Sequence, residues 1–147
     1  MFRNILVPTD GSALSRKAIR RAVQLAKEQK GRVTGFYVGP AWNPRASEDV
    51  SLYRIVSPQQ HAEAVKKTAS RVLDAVRREA AKAGVPCTCA WGTGDFPYIK
   101  IVEAATRNRC DLILMATHGR RGISRLLLGS ETSKVLAHST LPVLVCR

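Results

Sequence analysis

Five apolar runs alternate with stretches of helical spacing, and that alternation leaves the chain little choice of fold. The runs are Asn4–Thr9 (NILVPT), Arg32–Val38 (RVTGFYV), Cys87–Trp91, Asp111–Ala116 (DLILMA) and Pro142–Cys146 (PVLVC). Strands separated by helices pair in parallel, because each return to the same edge needs a long crossover. The run at Asp111–Ala116 shows no polar alternation, as expected of a strand covered on both faces. With 147 residues and 45% hydrophobic side chains, the chain has enough material for one core. The expectation is a single α/β domain over residues 1–147 with a five-stranded, doubly wound parallel sheet.

The intervening segments carry helix signals. Ser12 follows an Asp-Gly turn and opens a helix whose stripe is Ala18, Ala22, Leu25 and Ala26, with Gly31 expected as its C-terminal cap. Pro58 begins a long helix with Ala62, Val65, Ala69, Val72, Leu73 and Val76 on one side, ending at Gly84-Val85-Pro86. A shorter helix is expected from about Phe96 to Arg107, carrying Ile99, Val102, Glu103 and Ala104. Gly129-Ser130 opens the last one, with Val135, Leu136 and Ala137 expected to face inward. The polar stretch Gly39 to Ser57 shows no period and reads as a loop of about 19 residues, a length usual for functional or mobile segments. There is no internal repeat.

Charge and cysteine usage narrow the partners. Lys and Arg number 24 against 11 Asp and Glu, a formal charge of +13, which favours anionic ligands without naming one. No targeting segment or membrane span is expected, since the apolar runs are short and broken by charge. Cys87 and Cys89 point to one face of a strand, poor geometry for a disulfide, and the three histidines (His61, His118, His138) stand at no metal-ligand spacing with the cysteines. The cysteines are read as structural and the compartment as cytoplasmic. The apolar final strand would form a bare sheet edge, so a homodimer through Pro142–Cys146 is expected.

In an open α/β sheet ligands sit at the carboxyl ends of the strands. That rule selects Pro8-Thr9-Asp10, Val38-Gly39, Met115 to Gly119, and the helix start at Gly129-Ser130. A helix N-terminus offers free N–H groups and partial positive charge to phosphate. Gly119 and Gly122 let the preceding loop turn tightly, and Arg120, Arg121 and Arg125 add cationic donors. The loop follows a strand and precedes a helix, but it is neither a Walker A loop nor a G-x-G-x-x-G fingerprint.

These segments, ILVPTDGS at Ile5 to Ser12 and MATHGRRGISRLLLGS at Met115 to Ser130 with PVLVC near the end, resemble the universal stress protein family along nearly the whole chain. Its nucleotide-binding subgroup carries G-x2-G-x9-G-[S/T]. Gly119 and Gly129-Ser130 match the second half, whereas Ala116 stands at the first glycine. The resemblance implies a Rossmann-like sheet of order 3-2-1-4-5, a dimer through the fifth strand, and ATP or AMP at the strand ends. By the same resemblance Pro8, Thr9 and Asp10 line the adenosine site and Val38 meets the adenine through its backbone. Met115, Ala116 and Gly119 lie along ribose and phosphates. Gly129, Ser130, Glu131 and Thr132 meet the phosphates, with His118 and Arg120 beside the path. A methyl at position 116 can block close approach of a ligand, or strain the backbone if φ is positive there, which either weakens nucleotide binding or shifts it toward a ligand with fewer phosphates.

Asp10 is either a ligand for Mg carried with the nucleotide or a helix-start residue satisfying backbone donors. No catalytic constellation emerges, so the chain reads as a binding protein with at most slow ATP hydrolysis. His118 reads as a hydrogen-bonding loop residue, His61 and His138 as helix-surface residues, Trp42 and Trp91 as packing. Two alternatives stand beside nucleotide binding: a nucleotide-free dimeric interaction module, and a basic nucleic-acid-binding protein. The second is disfavoured, because the basic residues scatter over helix faces and no recognition motif accompanies them.

Overall fold

The computed structural model describes residues 1–43, 57–118 and 128–147. The elements run β1 (Asn4–Pro8), α1 (Ala13–Glu28), β2 (Arg32–Gly39), α2 (Pro58–Ala83), β3 (Cys87–Thr93), α3 (Pro97–Arg107), β4 (Leu112–Ala116), α4 (Ser130–His138) and β5 (Val143–Cys146). The strands form one parallel sheet of order β3-β2-β1-β4-β5. The order reverses between β1 and β4, so α1 and α4, which follow them, pack on opposite faces of the sheet and leave a crevice at the two carboxyl ends.

Two-sided burial explains the continuous apolar strands. Ile5 and Val7 of β1, with Leu112 and Leu114 of β4, pack on one face under α1 and α2. Leu6, Ile113 and Met115 pack on the other with Ile101 and Val135 of α3 and α4. Each fully buried Leu or Ile contributes about 1.5–3 kcal/mol, so the two central strands anchor both layers at once.

Helix ends follow local chemistry, with corrections to four expectations. Ser12 caps α1, its Oγ accepting from the Ser15 N–H at 3.1 Å. Gly31 is not the cap at the other end. Lys30 takes the left-handed turn (φ 52°), and the Gly31 N–H returns to the Ala26 carbonyl at 2.8 Å. Glycine is needed at 31 for a different reason: a Cβ there would lie 2.8 Å from the Arg3 carbonyl oxygen. Leu25 is only half-buried, Ile19 and Val23 being the larger core residues of α1. In α2 the stripe continues to Ala80 while Ala62 is exposed. Leu136 and Ala137 of α4 are exposed also; Val135 and Thr132 supply its buried face, because the helix is too short to bury a wider stripe. Ser57 and Gln60 form a reciprocal capping box at the start of α2, and Gly84 closes it in the left-handed region at φ 68°.

Candidate functional site

The carboxyl ends of β1, β2 and β4 enclose a cavity of about 170 Å³ with α3 and α4 as its far wall. Its lining divides by chemistry. Phe36, Val38, Ile101 and Met115 make an apolar slot; Thr9, Asp10, Ser15, His118, Glu131 and Thr132 make the polar side. Drug-sized ligands usually occupy about 300–1,000 Å³, so this space suits a nucleobase-sized group with the remainder of a ligand running outward.

The β1 end is tied into a tight turn. The Thr9 N–H donates to the Phe36 carbonyl at 2.9 Å, holding β1 and β2 together at their tips. The Thr9 hydroxyl donates to Ser15 Oγ at 3.0 Å and accepts from the Gly11 N–H at 3.2 Å. Asp10 accepts from the Ser12 N–H at 2.9 Å. This is the helix-start role weighed for Asp10, and it aims the carboxylate across the turn beside the cavity. Among the described residues no three His, Cys, Asp or Glu gather as a metal site.

The β4 end is fixed by α4. Thr132, 3% exposed, donates its hydroxyl to the carbonyls of Ala116 (3.0 Å) and Thr117 (3.2 Å). The Gly129 N–H donates to the Thr117 carbonyl at 2.8 Å. A Cβ at Gly129 would meet that oxygen at 3.0 Å and the His118 Cα at 3.3 Å, so a glycine is what lets the helix start come this close. His118 Nδ1 shares a hydrogen bond with its neighbour Thr117 Oγ1 at 3.1 Å. Ala116 lies in strand β4 with no positive φ, so its methyl carries no backbone strain; it forms part of the cavity wall.

Pro8, Thr9, Asp10, Val38, Met115, Ala116, His118, Glu131 and Thr132 therefore converge on one cavity. Gly129 and Ser130 stand at the start of α4 without lining it. Gly119, Arg120, Arg121, Gly122 and Arg125, and most of the stretch Gly39 to Ser57, lie outside the described residues. Phe36, Ser15, Pro97 and Ile101 were not anticipated. The strand-end rule contained a signal for Phe36, two residues before Val38 on the same face of β2; nothing in the spacing of α3 announced that Pro97 and Ile101 lean over the site. Glu131 also has a role the sequence did not reveal. Its Oε2 accepts the Tyr98 N–H at 2.9 Å, supplying from α4 the cap that Phe96 cannot give α3, while its Oε1 pairs with Lys134 at 3.3 Å.

The remaining expected roles lie away from the cavity. His61 hydrogen-bonds the Pro40 carbonyl at 2.9 Å, and His138 sits on the α4 surface with its ring 4.9 Å from that of Tyr98. Trp42 and Trp91 are 43% and 40% exposed, more open than a packing role requires. All four cysteines are free. Burial pushes the Cys110 and Cys146 thiols up. Cys87 and Cys89 share a hydrogen bond that raises the former and draws the latter down to about 7, with Arg77 nearby favouring both thiolates.

A parallel five-stranded sheet with helices on both faces and a cleft at its switch point defines the class of Rossmann-like α/β domains. The universal stress protein family profile matches residues 1–147. The chain is 34% identical to YxiE of Bacillus subtilis, covering all of both proteins, and 33% identical to a universal stress protein of Methanocaldococcus jannaschii, covering all of this chain and 83% of that one. It belongs to the universal stress protein family. Among solved structures it is similar to UspA from Lactobacillus plantarum (26% identity, TM-score 0.76, covering 99% of this chain and 97% of that one). The fold also matches a universal stress protein in complex with cAMP (24% identity, TM-score 0.72, coverage 99% and 97%) and the Archaeoglobus fulgidus protein in complex with dAMP (20% identity, TM-score 0.66, coverage 99% and 98%). No helix among the described residues is long and apolar enough to cross a membrane.

Proposed function

We propose that this chain binds an adenine nucleotide, ATP or AMP, at the carboxyl ends of the sheet and acts as a dimeric stress-response module rather than an efficient enzyme. The observation that carries the reading is the division of one cavity into an apolar slot and a polar side bordered by an N-terminal helix turn. In this reading the base lies against Phe36, Val38, Ile101 and Met115, with the Val38 backbone meeting its polar edge. The ribose faces Asp10 and Thr9, and the phosphates run past Ala116 and His118 toward Gly129, Ser130 and Thr132. Gly119 and Arg120 follow His118 in the sequence and lie outside the described residues; Asp10 would be the residue to meet an Mg ion travelling with the nucleotide. Nucleotide complexes of similarly folded relatives support the ligand class.

Glu131 qualifies the phosphate end. Its carboxylate is committed to Tyr98 and Lys134, so its backbone N–H, rather than its side chain, is the group suited to a phosphate. That negative side chain and the Ala116 methyl both favour a ligand with fewer phosphates. The dimer reading rests on β5, which among the described residues pairs with β4 alone and leaves Leu144 45% exposed on the outermost strand.

The test is direct. Purified protein is denatured and the released material assayed for adenine nucleotide, and ATP and AMP are titrated while the melting temperature is followed. Release of nucleotide, or a saturable rise in Tm, is the expected result. No release and no rise with either ligand would leave the nucleotide-free interaction module as the reading. Sedimentation of the native chain and of Leu144→Arg tests the dimer, the variant being expected to sediment as a monomer.

A further inference from the structure

The cleft uses none of the four cysteines, yet two of them stand together on β3, the edge strand of the sheet. Residues two apart in a strand project to one face, and Cys87 Sγ and Cys89 Sγ are 3.9 Å from each other. Both are half-buried where β3 packs on the α1 and α2 side. Gly35, beside Cys89 on the neighbouring strand, makes the room: a Cβ there would lie 3.2 Å from the Cys89 sulfur and 3.1 Å from Val76. The Arg77 guanidinium on α2 adds a positive field over both sulfurs.

Proximity of this kind does not make a disulfide. Residues two apart in an extended strand have Cα atoms about 6.6–6.8 Å apart, at the upper edge of the disulfide span. Closing the bond would buckle a strand that keeps register with β2 from Cys87 to Thr93. A single centre bonded to both sulfurs fits without that distortion. Two sulfurs bonded to one pyramidal centre lie a few tenths of an ångström closer than the 3.9 Å seen here, a change that side-chain rotation supplies without moving the strand. No third His, Cys, Asp or Glu joins the pair among the described residues, so a ligand held here must be content with two protein bonds.

The geometry points to Cys87 and Cys89 as a chelating dithiol for a thiophilic centre that needs two protein sulfurs and no more, the chemical type being a monosubstituted trivalent arsenical. In the capture step each thiol gives up its proton and two sulfur–arsenic bonds replace the arsenic–oxygen bonding of the arsine oxide. One water leaves and arsenic stays trivalent, so no oxidant or reductant takes part. Cys110 lies in the connection between α3 and β4 and Cys146 lies on β5, so neither shares a strand with the pair. The site is independent of the nucleotide cleft.

The experiment treats the reduced full-length chain with one equivalent of phenylarsine oxide. Titratable thiols are expected to fall from four to two, with Cys87 and Cys89 protected from alkylation in a peptide map. The adduct should survive excess monothiol and be released by a small dithiol. Cys87→Ser and Cys89→Ser should each lose this resistance by at least tenfold in competing monothiol, while the Cys110→Ser, Cys146→Ser double variant keeps it. Protection mapped to Cys110 or Cys146, stripping of the wild-type adduct by monothiol, or full resistance in Cys89→Ser overturns the proposal. Should a serine variant fail to fold, the protection map on the unmodified chain decides the matter alone.

Discussion

The N-termini of α1 and α4 border the same cavity and are built in opposite ways. The α1 start is satisfied from within: Ser12 caps the helix, Asp10 accepts from Ser12, and Thr9 accepts from Gly11. The α4 start has Gly129 as its cap residue, which has no side chain to offer an oxygen, and the helix is held against the β4 end by Gly129 and Thr132 instead. A side-chain cap takes a first-turn donor, as Ser12 takes the Ser15 N–H, whereas a helix begun by glycine has no cap side chain to do so. The phosphate path proposed above ends at the second kind of helix start, although both sit at strand ends.

Four substitutions break or sharpen this comparison. The largest effect is expected at Gly129→Val, where the new Cβ meets the Thr117 carbonyl at 3.0 Å. At ligand concentrations a hundred times Kd, a bound nucleotide stabilises the wild type by about 2.7 kcal/mol; that increment should fall to near zero in the variant, as read from Tm with and without AMP. Thr132→Val keeps the shape but leaves the Ala116 and Thr117 carbonyls without their hydroxyl donor. Urea denaturation should show a loss of about 1–3 kcal/mol. Ser12→Ala, at the opposite helix, should lose about 1 kcal/mol of stability and leave the AMP-dependent Tm increment unchanged; a fall in that increment would show that α1 also serves the ligand. Glu131→Gln retains an acceptor for the Tyr98 N–H while removing a negative charge. ATP affinity measured by calorimetry should rise by the equivalent of about 0.3–1 kcal/mol at low salt, and the gain should shrink as salt is added.

Fold and site were legible to different depths. The run at Asp111–Ala116 announced a strand buried on both faces, and Leu112–Ala116 is that strand, with alternate residues divided between the two cores. Strand-end placement selected Thr9, Asp10, Val38 and Ala116, which line the cavity, because it depends on topology, which the alternation of runs already implies; Thr132 came from the family resemblance alone. Gly31 was misread because its necessity lies in the Arg3 carbonyl opposite it, a contact between segments far apart in the chain. Leu136 and Ala137 were misread because a nine-residue helix buries only a narrow face. Pro97 and Ile101 enter the site because α3 packs against β2 and α4, a placement set by tertiary packing rather than by spacing along the chain.

What the sequence determined by itself was the order of elements and their pairing. Period, turn residues and crossover length act locally or through rules of connection, so they can be read along the chain. Tertiary structure alone decided which side chains meet across elements: Glu131 reaching over to cap α3, Gly129 set against Thr117, and the two sulfurs of β3 lying in the space that Gly35 leaves. Those contacts depend on distances of a few tenths of an ångström between segments that are remote in sequence, and only close packing of the whole domain sets such distances.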